Sequence, residues 1–226
     1  MDAVTRVKFQ RLESTRYTSH LETMKVFQRA LRRTTLEPAY SEGFNPQMKM
    51  VFGLPLQVGV VSLGEYADLS FAREYAPMEV LERLNGALPE GFRVVAAGER
   101  TIRKNIMADV AGALYEITYD MDALEMISFI QESAHLPVIK KSKNTLKEVD
   151  AKPFILRMER IGKDSLAFLL KAGQVNLNTN TLTEALRRNL GKDLNLLALK
   201  RVDLFVERKG ILVDALSEEA LATEES

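Results

Sequence analysis

Lys25, Arg29 and Arg32 stand at i, i+4 and i+7, a spacing that lines three cations along one face of a helix, with Arg33 beside them. Fixed rows of positive charge bind phosphates, with an affinity that falls steeply with salt. The same row could equally be a solvated face whose last arginines complement the helix dipole, and Glu22 is near enough to offset part of it. A second basic run, Lys140, Lys141, Lys143 and Lys147, could clamp a nucleic-acid backbone or guard an exposed strand edge. Lys49 is a further cation for the same purpose. Between the basic segments lies Ser41-Glu42-Gly43-Phe44-Asn45-Pro46, a loop in which Gly43 permits unusual backbone angles and Asn45-Pro46 favours a turn. Phe44 either plugs the core, the safer expectation, or presents a ring for stacking. His20 falls at a helix start, where the dipole favours neutral imidazole, and is the one weak candidate for a general base. With no paired acid or nucleophile close to it in sequence, packing is its more ordinary role.

Composition removes many other chemistries. Cysteine is absent, which excludes thiolate-held clusters and zinc sites, disulfides and cysteine nucleophiles. Two histidines cannot build a multi-histidine metal centre, and no acidic cluster nominates a magnesium site, so no metal and no cofactor are expected. Net charge is zero, yet residues 1–50 carry nine Lys/Arg against five Asp/Glu and residues 137–163 carry eight against three. From Ile211 onward there are five acids and no base. That acidic end could shield a basic face, although solubility alone explains it. No apolar run approaches the roughly 20 residues that span a bilayer, and the N-terminus lacks the apolar core of a signal peptide, so a cytoplasmic chain with no membrane partner is expected.

The elements that must position these residues read as β-α-β-β-α-β, twice. In the first half, strands are predicted over 7–12, 48–52, 65–71 and 92–97. One helix buries Leu21, Met24, Phe27 and Leu31, with Thr18 or Ser19 as its cap, and another starts at Pro77. In the second half, a strand over 114–119 precedes a helix from Met121 with Leu124, Ile127 and Ile130 inward. A strand over 138–141 follows, then a hairpin closed around Gly162-Lys163-Asp164. Thr181 to Glu184 reads as a capping box opening a helix that stops at Gly191, and a strand over 196–206 comes last. The fold class is α+β, with two tandem ferredoxin-like (βαββαβ) domains built on antiparallel sheets: residues 1–105, residues 112–210, and an acidic tail over 211–226 expected to be disordered. Such a unit covers one sheet face with helices and leaves the other free, a face that in RNA-recognition motifs stacks bases.

The pieces Ser19-His20-Leu21, Arg29 to Arg33, Tyr40 to Pro46 and Phe52-Gly53-Leu54-Pro55-Leu56 together resemble a family of radical-SAM-associated proteins of bacteria, found fused to or encoded beside radical-SAM proteins. Leu81 to Asn85 and Leu88 to Gly91 extend the likeness. The family commonly has His after Asn-Pro, where this chain has Gln47, which weakens any role for the loop as a base or metal ligand. The resemblance implies a free-standing companion of a radical-SAM protein. The tandem architecture also looks like the paired ferredoxin-like RNA-binding proteins of CRISPR systems. Three functions follow as expectations. The first is a non-catalytic module that presents RNA to a radical-SAM partner. The second is a protein–protein adaptor using Ser41 to Pro46 without nucleic acid, and the third a metal-independent endoribonuclease using His20.

Overall fold

A computed structural model describes residues 2–101, 104–142, 145–173 and 176–221, with backbone only at 140–142, 145 and 146. The protein is a mixed α+β chain that divides into two compact units, residues 1–111 with 203–226, and residues 112–202. Among the described residues no helix is long and apolar enough to cross a membrane.

The first unit opens with β1 (Ala3–Arg11), followed by α1 (His20–Arg33), β2 (Met50–Phe52), β3 (Val61–Phe71), α2 (Pro77–Ala87), β4 (Phe92–Glu99) and the short α3 (Ile106–Asp109). β1 lies between β4 and β3, antiparallel to both, and β2 adds antiparallel to β3. Alternation along β1 sends Val7 and Phe9 to one face, where they meet Phe27 and Leu31 of α1, Val80 and Leu84 of α2, and Ala67, Leu69 and Phe71 of β3. Three rings knit this core: Phe27 lies 4.7 Å from Phe9 and 5.3 Å, edge-on, from Phe52. Leu21 does not belong to it. Six residues before Phe27 it points away from the core at 68% exposure; Phe27 and Leu31 are buried as expected, and Thr23 and Ala30 complete the stripe.

The second unit comprises β5 (Val110–Tyr119, entering at Gly112), α4 (Ala123–Glu132), β6 (Pro137–Ser142), β7 (Thr145–Asp150), β8 (Ile155–Arg160), β9 (Ser165–Lys171), α5 (Thr179–Leu190) and the first part of β10 (Leu196–Arg208). Its strands run in the order β10-β5-β9-β8, and β6 and β7 form a separate hairpin. The turn around Gly162-Lys163-Asp164 joins β8 to β9 as expected. α4 keeps Ile130 inward as expected, but its first two inward places fall one residue before Leu124 and Ile127. Asp122 caps it, and Ala123, Met126 and Ile130 face inward while Leu124 is exposed. α5 starts earlier than the capping-box pattern suggests, because the Asn178 side chain accepts from Thr181 N at 2.8 Å, and it stops at Gly191 in the left-handed region.

From Asp203 the chain belongs to the first unit again, so the expected boundary at 210 moves to the middle of β10. β10 turns through Lys209 and Gly210, both at positive φ as a two-residue hairpin needs, into β11 (Ile211–Asp214), and α6 (Glu218–Leu221) follows. Residues 211–221 are therefore folded and not a loose tail; Ala222 to Ser226 lie outside the described residues. This segment also closes part of the sheet face expected to be free. A Cβ on Gly98 of β4 would come within 2.5 Å of Leu221, and the buried Arg6 guanidinium donates to Ala215 O at 3.2 Å.

Charged side chains fill the closed face. Arg6, fully buried, forks onto Asp68 at 2.8 and 3.2 Å, and Asp68 also accepts from Ile106 N at 2.8 Å. Buried Asp109 accepts two bonds from Arg208, at 2.8 and 2.6 Å. Beside this network, Lys8 pairs with Asp203 at 2.6 Å and Asp214 at 3.3 Å, and Tyr66 donates to Asp203 at 2.9 Å. Burial, then the two carboxylates, push the Tyr66 hydroxyl far above its ordinary value, so it stays a donor.

Candidate nucleic-acid and partner interface

α1 is set by local chemistry. Ser19 is its cap: the Ser19 hydroxyl accepts from Glu22 N at 3.3 Å, and the Glu22 carboxylate accepts from Ser19 N at 2.7 Å. Those bonds, the backbone one first, hold the Glu22 carboxyl below its ordinary value, so it is charged and turned toward the cap. With Phe27 and Leu31 buried, the helix presents Lys25, Arg29, Arg32 and Arg33 to solvent. None of the four makes an ion pair among the described residues. A solvated cation costs little to bring to a phosphate, whereas a paired one must first lose its carboxylate.

A groove of about 420 Å³ runs along this flank, lined by Ser14, Tyr17, Thr18, Glu22, Lys25 and Arg29. Tyr17 is 73% exposed, with the Arg16 guanidinium over its ring at 5.5 Å. Arg16 is itself fixed by two bonds to Gly59 O, at 3.1 and 2.9 Å, and an ion pair to Glu13. Sequence reasoning missed Tyr17, whose only signals were a basic neighbour and a place in a turn ahead of a basic helix.

The loop over 40–48 is a narrow finger. Tyr40 pairs with Met48 in an isolated bridge, and Ser41 N donates to Gln47 O at 2.8 Å while the Ser41 hydroxyl accepts from Gln47 N at 2.9 Å. Gly43 sits at φ 115°, a conformation that favours glycine although space around it is open. Glu42, Phe44, Asn45 and Pro46 stand at the exposed tip. Phe44 is not a core plug: it is fully exposed, because the finger's own hydrogen bonds hold its tip away from the apolar core. Lys49, at the finger's base, is paired with Asp2 at 2.8 Å and so is not a free cation.

The expected site residues thus fall into three groups. α1 gathers Lys25, Arg29, Arg32 and Arg33; the finger carries Ser41 to Pro46 with Lys49 below it; and the lysine run belongs to the second unit. There, Lys140 and Lys141 lie on β6, opposite Lys147 and Leu146 of β7. The side chains of Lys140 and Lys141, and Lys143 altogether, lie outside the described residues.

His20 is half-buried, edge-on to Phe52 at 5.9 Å. Burial lowers its pKa, partly opposed by Glu65, itself 5% exposed and accepting from Ser62 Oγ at 2.6 Å. The fold thus supplies a carboxylate neighbour that lies 45 residues away in sequence, and the imidazole is held neutral near pH 7. Among the described residues no group of three or more His, Asp or Glu is placed to hold a metal ion.

No curated protein matches the chain in sequence. Among solved structures, a chain of the "Crystal Structure of a Cbf5-Nop10-Gar1 Complex" is similar at 13% identity and a TM-score of 0.46, over 89% of this chain and 50% of that one. This chain therefore spans half the length of that one, and a likeness at this level bears on neither fold nor function. The model of the family described as "Uncharacterized protein conserved in bacteria (DUF2344)" matches residues 5–180. That match takes in most of β1 and all of α1, the groove and the finger, and the chain belongs to this bacterial family.

Proposed function

We propose that this protein is a non-catalytic, radical-SAM-associated module that binds RNA along α1 and presents it to a radical-SAM partner. The strand order β4-β1-β3 with β2 beside β3 in the first unit, and β10-β5-β9-β8 in the second, supports reading each unit as ferredoxin-like. One observation carries the RNA reading: four cations project from one helix, all exposed and none ion-paired among the described residues. Three or four phosphate contacts to single-stranded RNA give a slope of log K against log salt of about −2 to −3. A salt-titrated gel shift with a mixed-sequence RNA tests this. Binding at low salt should fall with that slope and vanish in the Arg29→Glu/Arg32→Glu double variant; no binding, or an unaffected variant, removes this face from consideration.

A second reading rests on Phe44, whose full exposure at the tip of a hydrogen-bonded finger suits insertion into a pocket of another protein. In that reading the finger docks on a radical-SAM protein and RNA plays no part. Co-purification of the two proteins after RNase treatment separates the readings. The adaptor reading expects the complex to survive Arg29→Glu/Arg32→Glu and to be lost with Phe44→Ser.

A further inference from the structure

We infer that the groove beside α1 takes single-stranded RNA, with one unstacked base lying on Tyr17 and the flanking phosphates on Lys25 and Arg29; the inference rests on the RNA reading above and specifies it. The groove joins two surfaces of different chemistry. On the helix side Lys25 and Arg29 stand one turn apart, about 6 Å along the axis, and neither is ion-paired among the described residues. On the turn side Tyr17 offers an aromatic ring at 73% exposure.

A tyrosine this exposed gains little from the core, yet it is not loosely held. Arg16 lies over the ring and is anchored through Gly59 O and Glu13, so the ring is a prepared platform. A base stacked on it has phosphates within reach of the cation row. Glu22, charged and fixed to the cap, discourages a phosphate near the start of the helix and leaves Lys25 and Arg29 as the contacts. Duplex RNA satisfies only half of this arrangement. Its phosphates could meet the cations, but its bases are already stacked inside the helix and have no free face for Tyr17. A single strand satisfies both, and aromatic stacking is tolerant of base identity because every base has a π-face.

The full chain is tested by fluorescence anisotropy with three labelled ligands: a uridine 12-mer, an abasic ribose-phosphate 12-mer of the same charge, and a 12-base-pair RNA duplex. The uridine strand should bind tightest. Tyr17→Ala should weaken it by about 5- to 150-fold, the range for loss of one stacked base, bringing it toward the abasic strand. Tyr17→Phe, which keeps the ring, should stay within about twofold. Tyr17 is exposed, so both variants should keep the wild-type circular dichroism. If the duplex or the abasic strand binds as tightly as uridine, or Tyr17→Ala changes nothing while Arg29→Glu/Arg32→Glu abolishes binding, the stacking inference is overturned and the basic face survives. If no RNA binds at low salt, both fall together.

Discussion

Asp68→Ala is the sharpest test of how the first unit is held together. Asp68 is 3% exposed, and its carboxylate takes two bonds from Arg6, at 2.8 and 3.2 Å, and one from Ile106 N at 2.8 Å. Without it, the fully buried Arg6 guanidinium keeps Ala215 O at 3.2 Å and the Asp109 carboxylate at 3.7 Å, which Arg208 already engages. Removing one partner of a buried ion pair costs about 3–5 kcal/mol, because the remaining charge loses its nearest compensation. That is a large share of the roughly 5–15 kcal/mol that stabilises a typical domain. At about 2–4 °C per kcal/mol for a chain of this size, the melting temperature of the first unit should fall by about 6–20 °C. The chain has no tryptophan, so urea and thermal unfolding are followed by far-UV circular dichroism. The Arg6→Met/Asp68→Leu double variant should be more stable than the sum of its single losses implies, by more than about 1 kcal/mol, since it removes both charges together. A loss below about 1 kcal/mol for Asp68→Ala, with an unchanged urea slope, would refute the reasoning; so would strict additivity in the double variant.

Other consequences are equally measurable. Ser19→Ala removes the cap of α1 and should cost about 0.5–2 kcal/mol in urea unfolding. Gly91→Ala, at φ 89° with its new Cβ 2.3 Å from Ser14 Oγ and 2.5 Å from Thr15 Cγ2, should destabilise by more than about 1 kcal/mol. The Glu22 carboxyl is held below its ordinary value, so its contribution is present above the unfolded value of 4.5 and lost as pH falls through the folded one. The gap in urea midpoint between wild type and Glu22→Gln should therefore close on acidification, and a gap that widens would contradict the capping geometry. In an NMR titration His20 should have its midpoint below 6.5, because burial opposes its protonation; a midpoint at or above that value would contradict its half-buried setting.

Local chemistry was legible in the sequence where one signal decided the outcome. Pro77 opens α2, Gly191 closes α5, and Gly162-Lys163-Asp164 closes a hairpin, because each turn or terminus answers to residues within a few positions. Periodicity places Leu21 and Leu124 inward because it counts apolar residues and cannot see which neighbouring phase the core selects. Phe44 was expected in the core by the ordinary preference of large apolar residues for burial. A hairpin of Ser41 and Gln47 hydrogen bonds, formed by polar atoms, overrides that preference. The charged face was invisible for a different reason. Arg6 and Asp68 lie 62 residues apart, and Lys8 and Asp203 lie 195 apart, so neither pairing leaves a trace in local pattern. The end of the chain read as a solvated tail because composition reports its acids and says nothing about the Lys8 that Asp214 meets. Of the candidate interface, the cation row on α1 is plain from spacing alone, while Tyr17 gains meaning only once the turn brings it alongside that row.

The chain leaves the first unit inside β5 and returns inside β10, so two strands each belong partly to both units. On a ribosome, everything up to residue 111 emerges before Asp203, Arg208 or Ala215 has been made, and Lys8, Asp109 and Arg6 respectively must wait for those partners through the synthesis of 91 intervening residues. Until then Arg6 has Asp68, but Lys8 lacks both of its carboxylates and Asp109 lacks Arg208, so a gene fragment cut at that point would encode a first unit without half of its charged face.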